Sequence, residues 1–221
     1  MKPQLITLAA AVAACALAGS TSALAGPMAG HPNLIIDGDF SSPNTGGSVF
    51  HPANGAVGWT NESEGTIEVG SSPIYGLPCI SNGCQNLEVN DSVLGDVVQT
   101  VSGLKAGETY DVSFDYGGRN VGGPQAMDFL INGVQFGSTL TSDGVHSFWT
   151  PLGFRFTAPT SGLATVEFLS LNAGGNPCCG NEITNVALSV PEPATWAMML
   201  VGFGGLGVAM RSRRKPTPVT A

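Results

Sequence analysis

Apolar and polar residues alternate over short stretches through the middle of this 221-residue chain. The clearest stretch is residues 110–116, where every second residue is apolar. Side chains of a strand point alternately to its two faces, so this pattern predicts a strand with one buried face. We find no stretch of the middle region whose apolar residues repeat with the period of a helix. The pattern therefore predicts an all-β domain.

Turn-forming residues separate these stretches at short intervals. Asn132 and Gly133 stand between two apolar stretches, and both tolerate the positive φ angles of a two-residue hairpin turn. Many short strands with frequent Gly, Pro, Asn and Ser between them are typical of a β-sandwich. The predicted strands are residues 33–37, 56–60, 66–69, 86–90, 96–101, 109–116, 126–131, 134–136, 153–157, 163–170 and 183–190.

The N-terminus departs from this pattern. Lys2 precedes an apolar run over residues 5–18, and the run is followed by Ala23-Leu24-Ala25, a small-x-small sequence that signal peptidase accepts. We therefore predict a signal peptide at residues 1–25. A lipoprotein signal that uses Cys15 is the alternative, and it fits less well because Cys15 lies inside the apolar run.

The C-terminus also departs from the strand pattern. Pro191 and Pro193 lack the backbone N–H that a central strand needs. Residues 194–210 carry no charge, and as a helix they would span about 26 Å, close to the ~30 Å core of a bilayer. The basic residues within 211–215 would hold the following end in the cytoplasm. We predict one transmembrane helix here, with a buried core helix as the alternative.

The region between these ends is strongly acidic. Residues 26–190 hold 15 acidic and three basic residues, a net charge of −12. Such a charge repels nucleic acid and anionic lipid, so we predict no nucleic-acid partner. It is compatible with neutral partners, with divalent cations, or simply with solubility.

Four cysteines remain after the signal peptide, and an even number in an exported chain is typical of disulfides. Cys79 and Cys84 bracket a tight four-residue turn, whereas the adjacent Cys178 and Cys179 could bond to each other only with strain. A bond between the two clusters stays open. A zinc site is disfavoured because the spacing matches no known zinc motif and no histidine is near.

We find no catalytic motif in the sequence and predict neither an enzyme, a cofactor nor a metal site. Glu62, Glu64 and Glu68 could serve a glycosidase only if two carboxylates faced one cleft at roughly 5–9.5 Å. For glycan binding, the useful side chains are aromatic rings with polar neighbours in loops at strand ends. The residues that could take this role are Tyr116, Arg119, Trp59 and Trp149, although both tryptophans could equally belong to the core.

The C-terminal residues resemble the PEP-CTERM sorting signal in its PEPxxWA variant. The resemblance rests on three parts in fixed order: Pro191-Glu192-Pro193, then Trp196-Ala197 opening the apolar span, then Arg211, Arg213 and Arg214. It implies recognition by an exosortase-type membrane protease, removal of the tail, and delivery to the envelope or extracellular matrix alongside exopolysaccharide. Such tails are also catalogued under an ice-binding C-terminal label, which describes the tail and does not predict ice binding.

Residues 33–40 and 183–188 resemble the opening and closing strands of galactose-binding-like jelly rolls. The resemblance implies a jelly-roll β-sandwich similar to carbohydrate-binding modules. Such modules often hold a structural calcium with carboxylates at the positions that are Ser41 and Thr184 here. Both carboxylates are missing, and whether Asp37 and Asp39 compensate stays open.

Together these observations predict three parts: a signal peptide at 1–25, an exported sandwich at 26–190, and a sorting tail at 191–221. We expect an envelope or matrix protein, anchored in a membrane before processing and then at the cell surface or outside. The sandwich would be structural or bind exopolysaccharide or another glycan. The alternatives are a polysaccharide hydrolase and a matrix component without a discrete ligand.

Overall fold

The computed structural model describes residues 32–47, 56–63 and 66–191. Within these ranges the chain forms eleven strands and two short 3-10 turns, at Ser72–Tyr75 and Asn82–Cys84. The strands are β1 Thr60–Asn61, β2 Glu68–Ser71, β3 Gln85–Glu88, β4 Asp96–Ser102, β5 Thr109–Gly117, β6 Gln125–Ile131, β7 Val134–Gln135, β8 Leu140–Ser142, β9 Trp149–Thr157, β10 Leu163–Leu171 and β11 Glu182–Ser189.

The strands form two antiparallel sheets packed face to face. The first sheet has the order β1-β4-β10-β6-β7, with β8 also paired to β6. The second sheet has the order β2-β3-β11-β5-β9. Neighbours in each sheet are mostly distant in sequence, as in a jelly roll rather than a meander. The predicted all-β sandwich is therefore confirmed.

Aromatic rings fill the space between the sheets. Phe168 on β10 packs against Phe114 and Phe129, with ring centroids 4.9 Å and 5.3 Å away. Trp59 closes the same cluster, 5.9 Å from the Phe168 ring. Each of these rings projects from the inward face of its strand or turn, so together they supply much of the apolar area that holds the two sheets together.

Two sequence predictions are confirmed closely. Strand β5 covers residues 109–117, and its inward residues are buried in strict alternation. Asn132 and Gly133 have φ angles of 53° and 73°, so they form the predicted hairpin turn between β6 and β7. The strand expected at 33–37 is absent from the described chain. Instead, the Asn33 side chain bonds to the backbone of β11, and residues 36–39 turn away.

Other strand boundaries shift. Of residues 56–60, only Thr60 is in a strand, because the chain turns at Gly58 with a φ of 82°. Strand β8 was not predicted, and β9 begins four residues before the predicted residue 153. The predicted signal peptide, the helix at 194–210 and its basic end lie outside the described residues. Within the described ranges no helix is long and apolar enough to cross a membrane.

Replacing Phe168 tests the central ring cluster. Phe168→Ala should lower the free energy of unfolding by about 3–5 kcal/mol, because the ring is fully buried and its neighbours cannot close the cavity. Leu163→Ala, on the same strand but exposed, should change it by about 0.5 kcal/mol or less. Urea unfolding of both variants measures the difference, and equal losses would contradict this account of the core.

Candidate functional site

An open pocket of about 300 Å³ lies where β5 ends and β9 begins. One wall is the end of β5, and the other is the segment that runs from β8 to β9. Binding residues often lie on such loops at the end of a rigid sandwich. The residues that line the pocket are Tyr116, Gly117, Gly118, Thr141, Ser142, Asp143, His146, Phe148 and Thr150.

Two close approaches at glycine fix the position of the wall that runs from β8 to β9. A Cβ atom on Gly118 would lie 2.2 Å from the Cβ of Ser142, so no larger residue fits there. Gly144 has a φ of 70° and lies against the backbone of Gly123, where an added Cβ would come within 2.3 Å. The shape of the pocket therefore depends on glycine at both contacts.

Asp143 organises the outer wall. Its Oδ1 accepts the backbone N–H groups of Val145 and His146 at 2.8 Å and 2.9 Å, and its Oδ2 lies 2.6 Å from His146 Nδ1. The His146 side chain, followed by these backbone donors, holds the pKa of Asp143 well below its usual range. The carboxylate therefore stays ionised at the pocket, and the imidazole is held beside it.

Phe148 supplies an exposed aromatic ring at the same pocket. It is 62% exposed, so its apolar ring is accessible to a ligand. The hydroxyl-bearing residues Thr141, Ser142 and Thr150 line the pocket around it. An apolar surface with a few polar groups is the usual composition of a small-molecule site.

A second polar cluster lies on the outer face of the second sheet. Glu68, Glu88 and Glu182 stand side by side on β2, β3 and β11, because the strands pair in register at these residues. Glu88 and Glu182 are fully buried, and Glu68 is nearly so. Three adjacent buried carboxylates would repel one another unless partners or protons compensate.

Three segments distant in sequence cover this row. Tyr75 donates a hydrogen bond to Glu68 Oε1 at 2.6 Å, and Arg119 Nη1 donates to Glu88 Oε2 at 2.7 Å. The guanidinium of Arg119 lies over the Tyr75 ring, 4.7 Å from its centroid. The backbone N–H of Gly180 donates to Glu88 Oε1 at 2.6 Å. Arg119 is thus the cation that compensates the row.

One guanidinium cannot neutralise three ionised carboxylates. Burial, followed by the charge of Glu88, raises the pKa of Glu182 well above its usual range. Burial and then Glu68 also raise the pKa of Glu88, whereas Arg119 opposes this shift. Among the described residues Glu182 contacts the Asn86 amide but no cation, so burial favours its protonated form more than in an exposed glutamate.

The glycan-binding residues predicted from the sequence do not lie together. Tyr116 lines the pocket, with its hydroxyl bonded to Asn181 Oδ1 at 2.9 Å. Arg119 lies in the carboxylate cluster instead. Trp59 is 1% exposed inside the core and offers no face to a ligand. Trp149 packs over Gly117 and donates its indole N–H to Pro78 O at 2.8 Å.

Sequence reasoning missed Asp143, His146 as a site residue, and Phe148. The available signal was Phe148 itself, an apolar residue in a polar segment without the alternation of a strand. The sequence alone does not show that β8 and β9 bring this segment against the end of β5.

One of the two cysteine clusters forms a disulfide and the other does not. Cys79 and Cys84 form a disulfide, with Cα atoms 4.9 Å apart. Cys178 and Cys179 are partly buried free thiols, and burial raises the pKa of Cys179 to about 12. The local pairing across the tight turn is therefore the one that the structure contains.

The calcium implied by the jelly-roll resemblance does not fit the residues present. Ser41 bonds to Asp39, and Thr184 bonds to the Gln85 carbonyl. Asp37 Oδ1 accepts the backbone N–H of residue 42, its Oδ2 is buried without a hydrogen-bond partner among the described residues, and burial raises its pKa to about 6. Across residues 32–47, 56–63 and 66–191, no three His, Cys, Asp or Glu side chains could share a metal ion.

Comparison with known families identifies the C-terminal region. Residues 189–215 match the PEP-CTERM protein-sorting motif. The chain carries this sorting motif. It indicates an exported protein that is processed at a membrane by an exosortase-type system.

One curated protein, halomucin of Haloquadratum walsbyi, is 27% identical to this chain over 191 residues. The match covers 83% of this chain but 2% of halomucin. The chain therefore corresponds to a very small part of that protein.

Solved structures similar to the sandwich include carbohydrate-binding modules. A family 35 module from Paenibacillus barcinonensis is 16% identical, with a TM-score of 0.41, and covers 66% of this chain and 100% of its own. The xylan-binding CBM22-1 domain of Xyn10C from the same organism is 12% identical, with a TM-score of 0.44, over 67% and 97%. TmCBM61, solved with β-1,4-galactotriose, is 13% identical, with a TM-score of 0.41, over 72% and 99%.

Two arginine–carboxylate pairs on the second sheet allow a matched test of the buried cluster. Arg119→Met should lower the free energy of unfolding by about 3 kcal/mol, because it leaves the buried Glu88 without its cation. Arg155→Met breaks an exposed pair with Asp111 and should cost about 1 kcal/mol or less.

The cost of Arg119→Met should also depend on pH. The raised pKa of Glu88 means that its contribution to stability is fully present below pH 4.5 and is lost as pH rises through its folded pKa. Removal of Arg119 raises that pKa further, so the variant should lose more stability at pH 8 than at pH 5. Urea unfolding at both values tests this, and a loss independent of pH would contradict a charged Glu88–Arg119 pair.

Proposed function

We propose that this chain is an exported envelope or matrix protein whose sandwich binds a glycan in the pocket between β5 and the β8–β9 segment. The exposed Phe148 ring at that pocket is the observation that carries the proposal. Removal of the tail by an exosortase-type protease would deliver the sandwich to the cell surface or matrix.

The pocket matches the chemistry of a pyranose. A sugar ring has an apolar C–H face that packs on an aromatic ring, and hydroxyls around its edge that need hydrogen-bond partners. Phe148 offers the aromatic face, and Thr141 and Thr150 offer hydroxyls beside it, whereas the Ser142 hydroxyl is buried. A volume of about 300 Å³ lies at the small end of the ligand-pocket range, which suits a short stretch or one end of a glycan chain.

The charge of the pocket favours a glycan without carboxylates. Asp143 stays ionised, and neither Lys nor Arg lines the pocket. Arg119, the nearest arginine in sequence to the β5 wall, is bonded to Glu88. A uronate-bearing chain would therefore approach the Asp143 carboxylate with neither Lys nor Arg in the pocket to receive it. We infer that the preferred ligand is neutral or carries amino groups.

A hydrolase is the second candidate, and the Asp143–His146 contact favours it. A carboxylate on the Nδ1 side of a histidine is the arrangement that orients a general base. No hydroxyl or thiol in the described chain is hydrogen-bonded to His146, so a nucleophile is not evident. Release of reducing ends from cell-surface polysaccharide would establish this function, and a matrix component without a ligand would give neither release nor binding.

Phe148→Ala tests the binding site. On a glycan array, followed by titration of the best ligand, the variant should bind at least about tenfold more weakly, a loss of roughly 1.4 kcal/mol. Val134→Ala is the matched control, because Val134 is equally exposed and lines a separate open depression beside β7. Unchanged affinity in Phe148→Ala, or an equal loss in Val134→Ala, would remove the pocket assignment.

Asp143→Asn tests the charge preference. Asparagine keeps an acceptor for the two backbone N–H groups and offers an N–H to His146, so the loop should keep its shape. At low salt, a neutral oligosaccharide should bind the natural protein about tenfold more tightly than its uronate counterpart, and the variant should narrow that ratio. A ratio that does not change on substitution would refute the electrostatic explanation while leaving glycan binding intact.

A further inference from the structure

The segment that enters the sandwich, residues 40–45, is held to the second sheet by one side chain. Gln85 is the first residue of β3, and it is 2% exposed. Its side chain points away from the solvent into the turn made by this segment. A buried amide must find partners for two N–H donors and for its oxygen.

The Gln85 amide bonds at every one of these positions. Its Nε2 donates to the carbonyl oxygens of Phe40 and Pro43, the second at 3.0 Å. Its Oε1 accepts the backbone N–H of Thr45 at 2.8 Å. Two backbone oxygens from a single turn therefore converge on one nitrogen. Convergent carbonyl oxygens are also what a hard cation such as Ca²⁺ takes as ligands.

The backbone of Gln85 extends the same connection to β11. Its carbonyl oxygen accepts the hydroxyls of Ser81 and Thr184, at 2.6 Å and 2.9 Å. Thr184 is fully buried on β11, and it is one of the two positions at which the jelly-roll resemblance expects a carboxylate ligand. The other such position, Ser41, bonds to Asp39. Both replacement hydroxyls are therefore engaged inside the protein.

We propose that the carboxamide of Gln85 takes the place of a structural divalent cation, so that this sandwich folds and keeps its stability without calcium. The two N–H groups of the amide donate to the carbonyl oxygens of Phe40 and Pro43. These oxygens would otherwise be free to coordinate a cation. The hydroxyl of Thr184 donates a hydrogen bond to the Gln85 carbonyl oxygen. In a calcium-binding relative, a carboxylate at this position would instead bind the cation. Neutral groups thus replace both the cation and its anionic ligands.

The test is thermal unfolding of the full-length protein in detergent. With excess EDTA or with millimolar calcium chloride, the Tm of the natural protein should stay within about 1 °C, because a ligand that does not bind cannot shift the folding equilibrium. A Tm that rises with calcium or falls with EDTA would overturn the proposal. This measurement needs no variant, so it holds even if substitutions at Gln85 prevent folding.

Two variants test the amide itself. Gln85→Ala should lower the Tm by roughly 5 °C or more, since it leaves two carbonyl oxygens and one N–H buried without partners, and calcium should not restore it. Gln85→Glu keeps the size of the side chain but sets a carboxylate against the two carbonyls, so in EDTA it should lose a similar amount. A natural Tm for Gln85→Glu in EDTA would show that the donated hydrogen bonds are not what holds the segment.

Gln135→Ala is the matched control. Its amide donates a hydrogen bond to a side chain, Asp128 Oδ1 at 2.8 Å, on the exposed hairpin. This variant should change the Tm by about 1 °C or less, because water replaces the lost bond. If Gln85→Ala proves as mild as Gln135→Ala, the amide is not the connection between the entering segment and the sheet.

Discussion

Packing of aromatic rings between two sheets is the constraint on which the other features depend. Phe114, Phe129 and Phe168 meet at the middle of the sandwich, each from a different strand. Their burial fixes which residues of β5, β6 and β10 point inward, because the alternation of a strand leaves no freedom once one residue is placed. The same alternation on β2, β3 and β11 turns Val69, Leu87 and Ile183 into the core and leaves the carboxylate row on the outer face.

The two polar regions of the second sheet solve different problems. The row of Glu68, Glu88 and Glu182 is dry and internally compensated by Arg119, Tyr75 and a backbone N–H. Its role is to fasten the covering segments to the sheet. The pocket beside Phe148 is open, and its polar groups stand at the ends of β5, β8 and β9 and in the segment between β8 and β9. A structural role suits the first region and recognition suits the second.

The sequence predicted the elements whose pattern is local. Strand β5 and the Asn132-Gly133 turn follow from alternation and turn chemistry, and each needs only a few neighbouring residues. Glu68 was considered only with Glu62 and Glu64, and Glu88 and Glu182 carried no prediction, because the row forms only when β2, β3 and β11 pair in register and Arg119 lies over them. No local pattern distinguishes a glutamate on an exposed face from one beneath such a cover.

The same limit explains why the residues predicted for a site do not lie together. Arg119 was grouped with Tyr116 because they are three residues apart, yet the chain turns at the end of β5 and sends them to different places. Phe148 and Tyr116 meet only because β9 pairs with β5 and brings its preceding loop to that end. The Asn33 side chain takes the place of a neighbouring strand along β11. Its hydrogen bonds could not be predicted before the register of β11 was known.

The position of β11 has a mechanical consequence. It is the central strand of the second sheet, and only Val190 separates its end from the Pro191 that opens the sorting motif. A pull from a membrane-held tail would therefore run along a strand bonded to β5 on one side and to β3, Asn33 and Leu34 on the other. Such a load is borne in shear by many bonds at once, whereas a tail leaving an edge strand would peel its bonds away one after another.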